Sequence, residues 1–216
     1  MFILDHQNSI VHQFMTEIRD VQVQKDRLRF RRNFERLGEI MAYEISKDLG
    51  YRAIEIQTPL QKTTARVLNE KPVLISVMRA AIPFYQGFLN YFDQADSGFV
   101  GAYRKEEKEG DQEIEIEFLY QAAPNLEGRE VILVDPMLAT GKSFVKTVEN
   151  LLRNGKPKML HLVCLIAAPE GVEYLKQNLK LPYKLWVGAL DEKLNEKFYI
   201  VPGLGDAGDL CFGDKI

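Results

Sequence analysis

Phe30, Phe34, Leu37, Met41, Ile45 and Leu49 recur at three- and four-residue steps among charged neighbours, the period of a helix with one buried face. The pattern predicts a long helix over residues 27–49. Ahead of it, Asn8-Ser9 is suited to cap a shorter helix running through Ile18, because a side-chain oxygen there accepts from an amide with no intrahelical partner. From Leu74 onward the pattern changes to short apolar runs at 74–78, 99–103, 131–134, 160–166 and 185–190, separated by segments able to form helices. That alternation predicts an α/β fold with a mostly parallel sheet. Glu113-Ile114-Glu115-Ile116-Glu117-Phe118 alternates with period two, as in a half-solvated antiparallel ribbon, and predicts a hairpin beside the main sheet. The charged stretch 105–111, with Gly110 inside it, suits a mobile loop. The tail 201–213 holds Pro202 and glycines at 203, 205, 208 and 213. It is expected to form neither helix nor regular strand and to be fixed by turns or by a ligand. No internal repeat or linker composition interrupts the chain, which predicts one domain over 1–216 with a helical arm at 1–50.

Composition narrows the function. A chain of 216 residues that is 46% hydrophobic buries about 70% of the surface its unfolded form exposes and needs no disulfide or metal staple. Cys164 and Cys211 lack CxxC spacing, and His6, His12 and His161 form no HExxH, which disfavours structural zinc, a disulfide scaffold and a zincin. A reduced, cytoplasmic setting follows as the expectation. The longest apolar runs, 159–168 and 80–92, fall short of a span of about 20 residues, and Met1-Phe2-Ile3-Leu4 runs straight into Asp5, unlike a signal peptide. The net charge of −3 argues against broad nucleic-acid binding.

Val131-Ile132-Leu133-Val134 reads as a buried strand and feeds into Asp135-Pro136-Met137-Leu138-Ala139-Thr140-Gly141-Lys142-Ser143, followed by a helical stretch over 144–153. A strand, a turn of small and hydroxylated residues, then a helix brings free amides and the positive end of a helix dipole to one point, which favours phosphate. The Walker A loop requires GxxxxGK[ST], and Pro136 stands where its first glycine must be. Asp135 on its own could simply cap the turn, and Arg79 and Arg104 on their own could be surface arginines. The acidic strand end followed by Ala139-Thr140-Gly141-Lys142-Ser143 is similar to the fingerprint of the type I phosphoribosyltransferases.

Further blocks tighten the match. Asp135-Pro136-Met137-Leu138-Ala139-Thr140-Gly141, Ala167-Ala168-Pro169-Glu170-Gly171, Met78-Arg79-Ala80 with Tyr103-Arg104, Ala189-Leu190-Asp191-Glu192-Lys193-Leu194-Asn195-Glu196 and the run from Tyr199 to Asp209 closely resemble the uracil phosphoribosyltransferases. Asp5-His6 and Thr58-Pro59 extend the resemblance upstream. It implies a twisted, mostly parallel sheet flanked by helices, with a helical arm, a β-hairpin and a C-terminal hood over 197–216. The implied reaction moves the phosphoribosyl group of 5-phosphoribosyl 1-diphosphate to N1 of uracil, giving uridine monophosphate and diphosphate, with Mg²⁺ as cofactor and no direct protein ligand to it. Arg79 and Arg104 are implied to hold the diphosphate, Asp135 the ribose hydroxyls, and residues 136–143 (Pro136, Met137, Leu138, Ala139, Thr140, Gly141, Lys142, Ser143) the 5-phosphate. Ile200, Gly205, Asp206 and Ala207 are implied to hold uracil through their backbone, with Asp206 also touching the phosphoribosyl substrate. Members are commonly dimers or larger, and some respond to GTP.

Departures from the family pattern carry their own expectations. Arg79-Ala80-Ala81 stands in place of the usual Arg-Ala-Gly and is followed by Ile82-Pro83-Phe84, which predicts a reshaped loop because alanine lacks glycine's freedom at positive φ. Lys142 replaces a usual glycine, a change compatible with nearby phosphate. Leu210-Cys211 replaces a basic and an apolar residue. His161, in an apolar run, is expected to be a satisfied buried histidine, and His6 and His12 to be structural. Arg27, Arg29, Arg31, Arg32 and Arg36 are expected to form a solvated helix face, with a subunit contact second and RNA a distant third. Two alternatives to the enzyme are a pyrimidine-nucleotide-sensing RNA-binding regulator and a degenerate binding protein, the latter motivated by Ala81 and Pro83.

Overall fold

A computed structural model describes residues 1–104 and 116–214, the side chains of 102–104 and 116–119 apart. In chain order it contains β1 (Phe2–Ile3), α1 (Val11–Arg19), α2 (Arg27–Ser46), β2 (Tyr51–Gln57), β3 (Lys62–Leu68), β4 (Val73–Met78), α3 (Ile82–Tyr91), β5 (Asp96–Arg104) and β6 (Ile116–Ala122). There follow β7 (Glu130–Val134), β8 (Met137–Leu138), α4 (Lys142–Leu151), β9 (Met159–Ala167), α5 (Pro169–Asn178), β10 (Tyr183–Leu190), β11 (Lys193–Leu194), β12 (Ile200–Val201) and α6 (Ala207–Phe212).

The main sheet runs β1-β10-β9-β7-β4-β5-β6, with β8 also on β9. Every pairing in it is parallel except β5 with β6, which is antiparallel at the edge. The five apolar runs of the sequence are β4, β5, β7, β9 and β10, and the expected ribbon contributes β6. Glu113, Ile114 and Glu115 and the expected loop at 105–111 lie outside the described residues. From β4 the chain steps to β5 on one side and later returns through β7 on the other, so the sheet reverses its winding between β4 and β7. In open α/β sheets that reversal leaves a crevice at the carboxyl ends of the two strands.

Side chains alternate between the two faces of β4 and β7. Leu74, Ile132 and Val134 meet the helices of the N-terminal segment in one core, while Val73, Ile75, Val131 and Leu133 meet α4 and α5 in the other. The predicted long helix is α2, capped by Asp26, whose side chain accepts from the Arg29 amide. Phe30, Phe34, Leu37, Met41 and Ile45 are all buried against the sheet side. The helix ends at Ser46, three residues before the predicted end. The chain tightens there into i→i+3 bonds through Leu49, which keeps Leu49 buried. The N-cap of α1 is Ile10, without a side-chain cap bond, and Ser9 stands one residue ahead of it, its Oγ still accepting from the Val11 amide at 3.3 Å.

α2 crosses α3 at two glycines. A Cβ on Gly38 would stand 2.2 Å from the carbonyl oxygen of Phe84, and one on Gly87 would stand 2.2 Å from that of Glu35. Gly87→Ala is expected to cost about 3 kcal/mol by forcing the helices apart, read as a lower urea midpoint at unchanged slope.

Two elements differ from the expectation. The tail does contain a helix, α6, because Asp206 caps it by accepting from the Asp209 amide at 3.0 Å. Gly208 sits in it where a side chain would meet Asp206 and Arg79. β2 and β3 form a separate antiparallel ribbon that the pattern of burial-seeking residues does not announce, since none of its side chains is fully buried. Its signals are Ile54 and Ile56 in alternation and the Thr58-Pro59 turn. Thr58 Oγ1 accepts from the amides of Leu60 and Gln61.

Candidate active site

The crevice between β4 and β7 is floored by the two segments that the sequence singles out. β7 ends at Val134, and the Asp135 amide donates to the Val163 carbonyl at 3.1 Å. Pro136 O accepts from Leu165 and Ile166, and Leu138 O from Ala168, so the loop is stapled along the end of β9. Pro136, Leu138 and Ala139 are buried in that staple, whereas Asp135, Met137, Thr140, Lys142 and Ser143 are partly exposed. Asp135 Oδ1 accepts from the Met137 amide at 3.3 Å, and Thr140 Oγ1 from that of Lys142 at 3.4 Å. Gly141 has φ +79° and precedes the first turn of α4. Left-handed backbone there is what turns the chain into the helix, and it suits glycine. The first amides of α4 thus face the crevice with the positive end of its dipole.

Across the crevice, Arg79 follows β4. Its Nη2 donates to Asp209 Oδ1 at 2.9 Å and its Nη1 to the Gly213 carbonyl at 3.4 Å, which brings the C-terminal segment over the β4 end. Both side chains are about a third exposed. Such a partly exposed pair is worth less than about 1 kcal/mol. Ala81, expected to reshape the loop, has φ −70° and ψ −19° and precedes α3. That is helical backbone, where glycine's freedom is not required, and Pro83 sits in the first turn of α3, where its missing N–H costs nothing. The premise of the degenerate reading is therefore absent. Arg104 ends β5, paired with Ile116, and its side chain lies outside the described part of the structure.

Near the start of the hood, β12 pairs Ile200 with Leu194 of the preceding β11. Glu170 Oε1 at the start of α5 accepts from the Leu194 amide at 2.9 Å. Ile200 and Ala207 are buried, Gly205 is exposed with φ +95°, and Asp206 is half-buried. The structure brings Arg79, Asp206 and Asp209 together, since a Cβ on Gly208 would stand 3.2 Å from Asp206 Oδ1 and 3.6 Å from Arg79 Nη2.

A family model described as uracil phosphoribosyltransferase matches residues 5–214. The chain belongs to the uracil phosphoribosyltransferase family. A curated uracil phosphoribosyltransferase of Porphyromonas gingivalis is 44% identical over 213 residues, covering 99% of this chain and 98% of that one. One from Lactococcus lactis is 44% identical over 188 residues, covering 86% and 87%. The solved structure of the AQ2163 protein from Aquifex aeolicus superposes with a TM-score of 0.87 at 30% identity, covering all of both chains.

Gly171, the one glycine of the Ala167-Ala168-Pro169-Glu170-Gly171 block, meets Gly141 and its neighbours in the loop after β7. A Cβ on Gly171 would stand 2.3 Å from Ala139 O and 3.0 Å from Leu138 O, and one on Gly141 would stand 2.8 Å from Gly171 O. The first turn of α5 and the phosphate-favouring loop touch backbone to backbone.

The arginine-rich helix presents the expected solvated face, with Arg27, Arg29, Arg32 and Arg36 exposed and Arg31 partly so, and some of these side chains also bond within the fold. Arg29 forks onto Glu17 at 2.8 and 2.6 Å, Arg31 donates to the Cys211 carbonyl at 2.8 Å, and Arg36 donates to Asn33 and lies over the Phe14 ring. Glu17 also accepts from Gln13 and Asn33, and the Arg29 fork with these bonds holds its carboxyl down at about 2. These bonds account for Arg29, Arg31 and Arg36 within the fold, and nothing in the family match favours the regulator alternative. His161 is buried as expected. Its Nδ1 accepts from Trp186 Nε1 at 3.1 Å, its Nε2 faces Glu130 at 3.2 Å, and burial pushes its pKa down. His6 and His12, expected to be structural, are exposed instead. Cys164 and Cys211 are free and buried, and burial pushes both thiols up. Among the described residues no helix is long and apolar enough to cross a membrane.

Proposed function

We propose that this chain, acting as one catalytic domain, transfers the 5-phosphoribosyl group of 5-phosphoribosyl 1-diphosphate to N1 of uracil, in the crevice between β4 and β7. The observation that carries the reading is the meeting of three segments at one switch point: the Asp135–Ser143 loop, Arg79 and the C-terminal hood.

Charge sets the division of labour. As the bond from C1 to diphosphate breaks, the ribose becomes cationic and the leaving group gains negative charge, so fixed donors at the diphosphate lower the barrier. Arg79 supplies a guanidinium fork there, exchanging Asp209 for the substrate, and Arg104 supplies the second. The amides at the start of α4, with Thr140 and Ser143, hold the 5-phosphate and so fix the ribose for in-line attack. Asp135 accepts the ribose hydroxyls. Phosphoribosyltransferases generally use Mg²⁺ with this substrate. Among the described residues no cluster of His, Cys, Asp or Glu side chains could hold a metal by itself, and the neighbouring amides favour anions, so a hard cation here would be held by substrate oxygens and waters, with the Asp135 carboxylate nearby. When bound, the cation neutralises part of the diphosphate's charge.

Uracil lies under the hood against the backbone of Ile200, Gly205, Asp206 and Ala207. A fixed amide facing O4 pairs with uracil but confronts the amino group of cytosine, and an unpaired buried polar pair costs about 1–3 kcal/mol. Assembly into a homo-oligomer belongs to the same reading, since the β2–β3 ribbon leaves Tyr51, Ile56 and Leu60 exposed.

Purified protein with radiolabelled uracil, phosphoribosyl diphosphate and Mg²⁺ is expected to form uridine monophosphate, and absence of product at saturation refutes the assignment. Arg104→Ala is expected to raise the KM for phosphoribosyl diphosphate about tenfold or more, as loss of a charge-assisted pair implies, with less effect on uracil. An equal change in both would remove Arg104 from the diphosphate.

A further inference from the structure

The hood's backbone is clamped from the far end of α1. Arg19, the last residue of that helix, forks onto Asp191, with Nη2 to Oδ1 at 2.6 Å and Nη1 to Oδ2 at 2.9 Å. The same Nη1 donates to the Gly203 carbonyl at 3.0 Å, and Asp191 Oδ2 accepts from the Gly203 amide at 2.7 Å. Both backbone groups of Gly203 are therefore held by one ion pair. Asp191 is itself fixed at the end of β10, its amide donating to Ala167 O at 2.8 Å, and its side chain is only 4% exposed. Gly203 has φ +61°, and a Cβ there would stand 2.1 Å from Ile200 O. The clamp thus holds a turn too tight for any other residue, two positions before Gly205 and next to the buried Leu204. Two residues before Arg19, in the same last turn, Glu17 pins α1 to α2 by accepting from Arg29 and Asn33, so Arg19 projects from a braced platform. Residues 24–27 continue that platform along a groove whose other wall is Asp206, Asp209 and Leu210.

We propose that Arg19 and Asp191 are positioning residues for pyrimidine recognition, setting the hood backbone at Gly203 so that Gly205, Asp206 and Ala207 meet the base in register. The inference rests on the hood carrying uracil and deepens that reading. Neither side chain need touch substrate. A buried, bidentate pair resists being broken, because removing one partner leaves the other charge buried and poorly compensated. Lysine at position 19 offers a point charge that cannot serve both carboxylate oxygens and the Gly203 carbonyl in one plane.

The test is steady-state kinetics on the full chain with both substrates varied, alongside thermal unfolding. Arg19→Ala is expected to raise the KM for uracil about 30-fold, on the scale by which a displacement of about 1 Å lowers rate, with the KM for phosphoribosyl diphosphate moved less than about threefold. Arg19→Lys is expected to fall between, and the preference for uracil over cytosine to drop about tenfold in Arg19→Ala. Asp191→Asn, which keeps the shape and weakens the fork, is a second variant should Arg19→Ala fail to fold, and is expected to show the same split. Equal losses for both substrates, or a lowered melting temperature with unchanged uracil KM and selectivity, would overturn the proposal and leave the pair a structural brace. Gly205→Val separates the two levels. If it leaves the uracil KM unchanged, the hood reading itself fails; if it raises that KM while Arg19→Ala and Asp191→Asn do not, only the positioning role fails.

Discussion

Asp135→Asn is expected to lower kcat about 100-fold while moving the melting temperature by no more than about 2 °C. The backbone at this position is independent of the side chain's charge. Its amide is bonded to Val163 O, and the loop beyond it is stapled to β9 through Pro136 and Leu138. Asparagine can still accept from the Met137 amide through its own Oδ1, so the turn survives. What is lost is a negative charge beside a ribose that becomes cationic as C1 parts from diphosphate, together with one acceptor for a ribose hydroxyl, which then faces an N–H instead. Only interactions stronger in the transition state than in the ground state change kcat, and an anion next to a developing cation is of that kind. Initial rates of uridine monophosphate formation with both substrates saturating measure it, and a near-normal rate would take the ribose away from Asp135.

The second large effect comes from a residue that touches no substrate. Gly171→Ala places a methyl 2.3 Å from Ala139 O and 3.0 Å from Leu138 O. Both contacts are backbone, so no side-chain end can swing aside. Either α5 retreats or the loop moves by about 1 Å, and a shift of that size in a positioning group costs about 100-fold. The loss is expected in kcat/KM for phosphoribosyl diphosphate, with uracil binding less affected, because Arg19 and Asp191 hold the hood backbone at Gly203 independently of α5. Unchanged kinetics toward phosphoribosyl diphosphate in a folded Gly171→Ala protein would mean that the loop does not hold the 5-phosphate.

Much of the fold was readable in the residues. The three- and four-residue spacing of Phe30, Phe34, Leu37, Met41 and Ile45 announced α2, since a helix buried on one face has no other economical pattern. The runs that became β4, β7, β9 and β10 announced strands because burial on both faces demands unbroken apolar side chains. The β2–β3 ribbon escaped because it buries almost nothing, and a pattern reading responds to burial. α6 escaped because glycine content argues against helices on average, while a single capping carboxylate at Asp206 and a close approach at Gly208 outweigh the average in this place.

The candidate site divides along the same line. Asp135-Pro136-Met137-Leu138-Ala139-Thr140-Gly141-Lys142-Ser143 was legible because its chemistry is contiguous: strand end, turn and helix start follow one another in the chain, and the amides that favour phosphate belong to the same few residues. Arg79 was legible only through its motif, and its pairing with Asp209 was not legible at all. The arginines of α2 looked alike in sequence, yet Arg29, Arg31 and Arg36 are committed to Glu17, the Cys211 carbonyl and Asn33 with Phe14.

By itself, then, the sequence determined the elements that bury a face, the switch-point loop and the family, because each depends on neighbours in the chain whose spacing and polarity act locally. Only the tertiary structure decided which distant groups meet: Arg19 with Asp191 and Gly203, Gly171 with Ala139, Arg79 with Asp209. Such contacts form between residues separated by tens to well over a hundred positions, and they are fixed by how helices close over a twisted sheet. No local preference of either partner encodes that geometry.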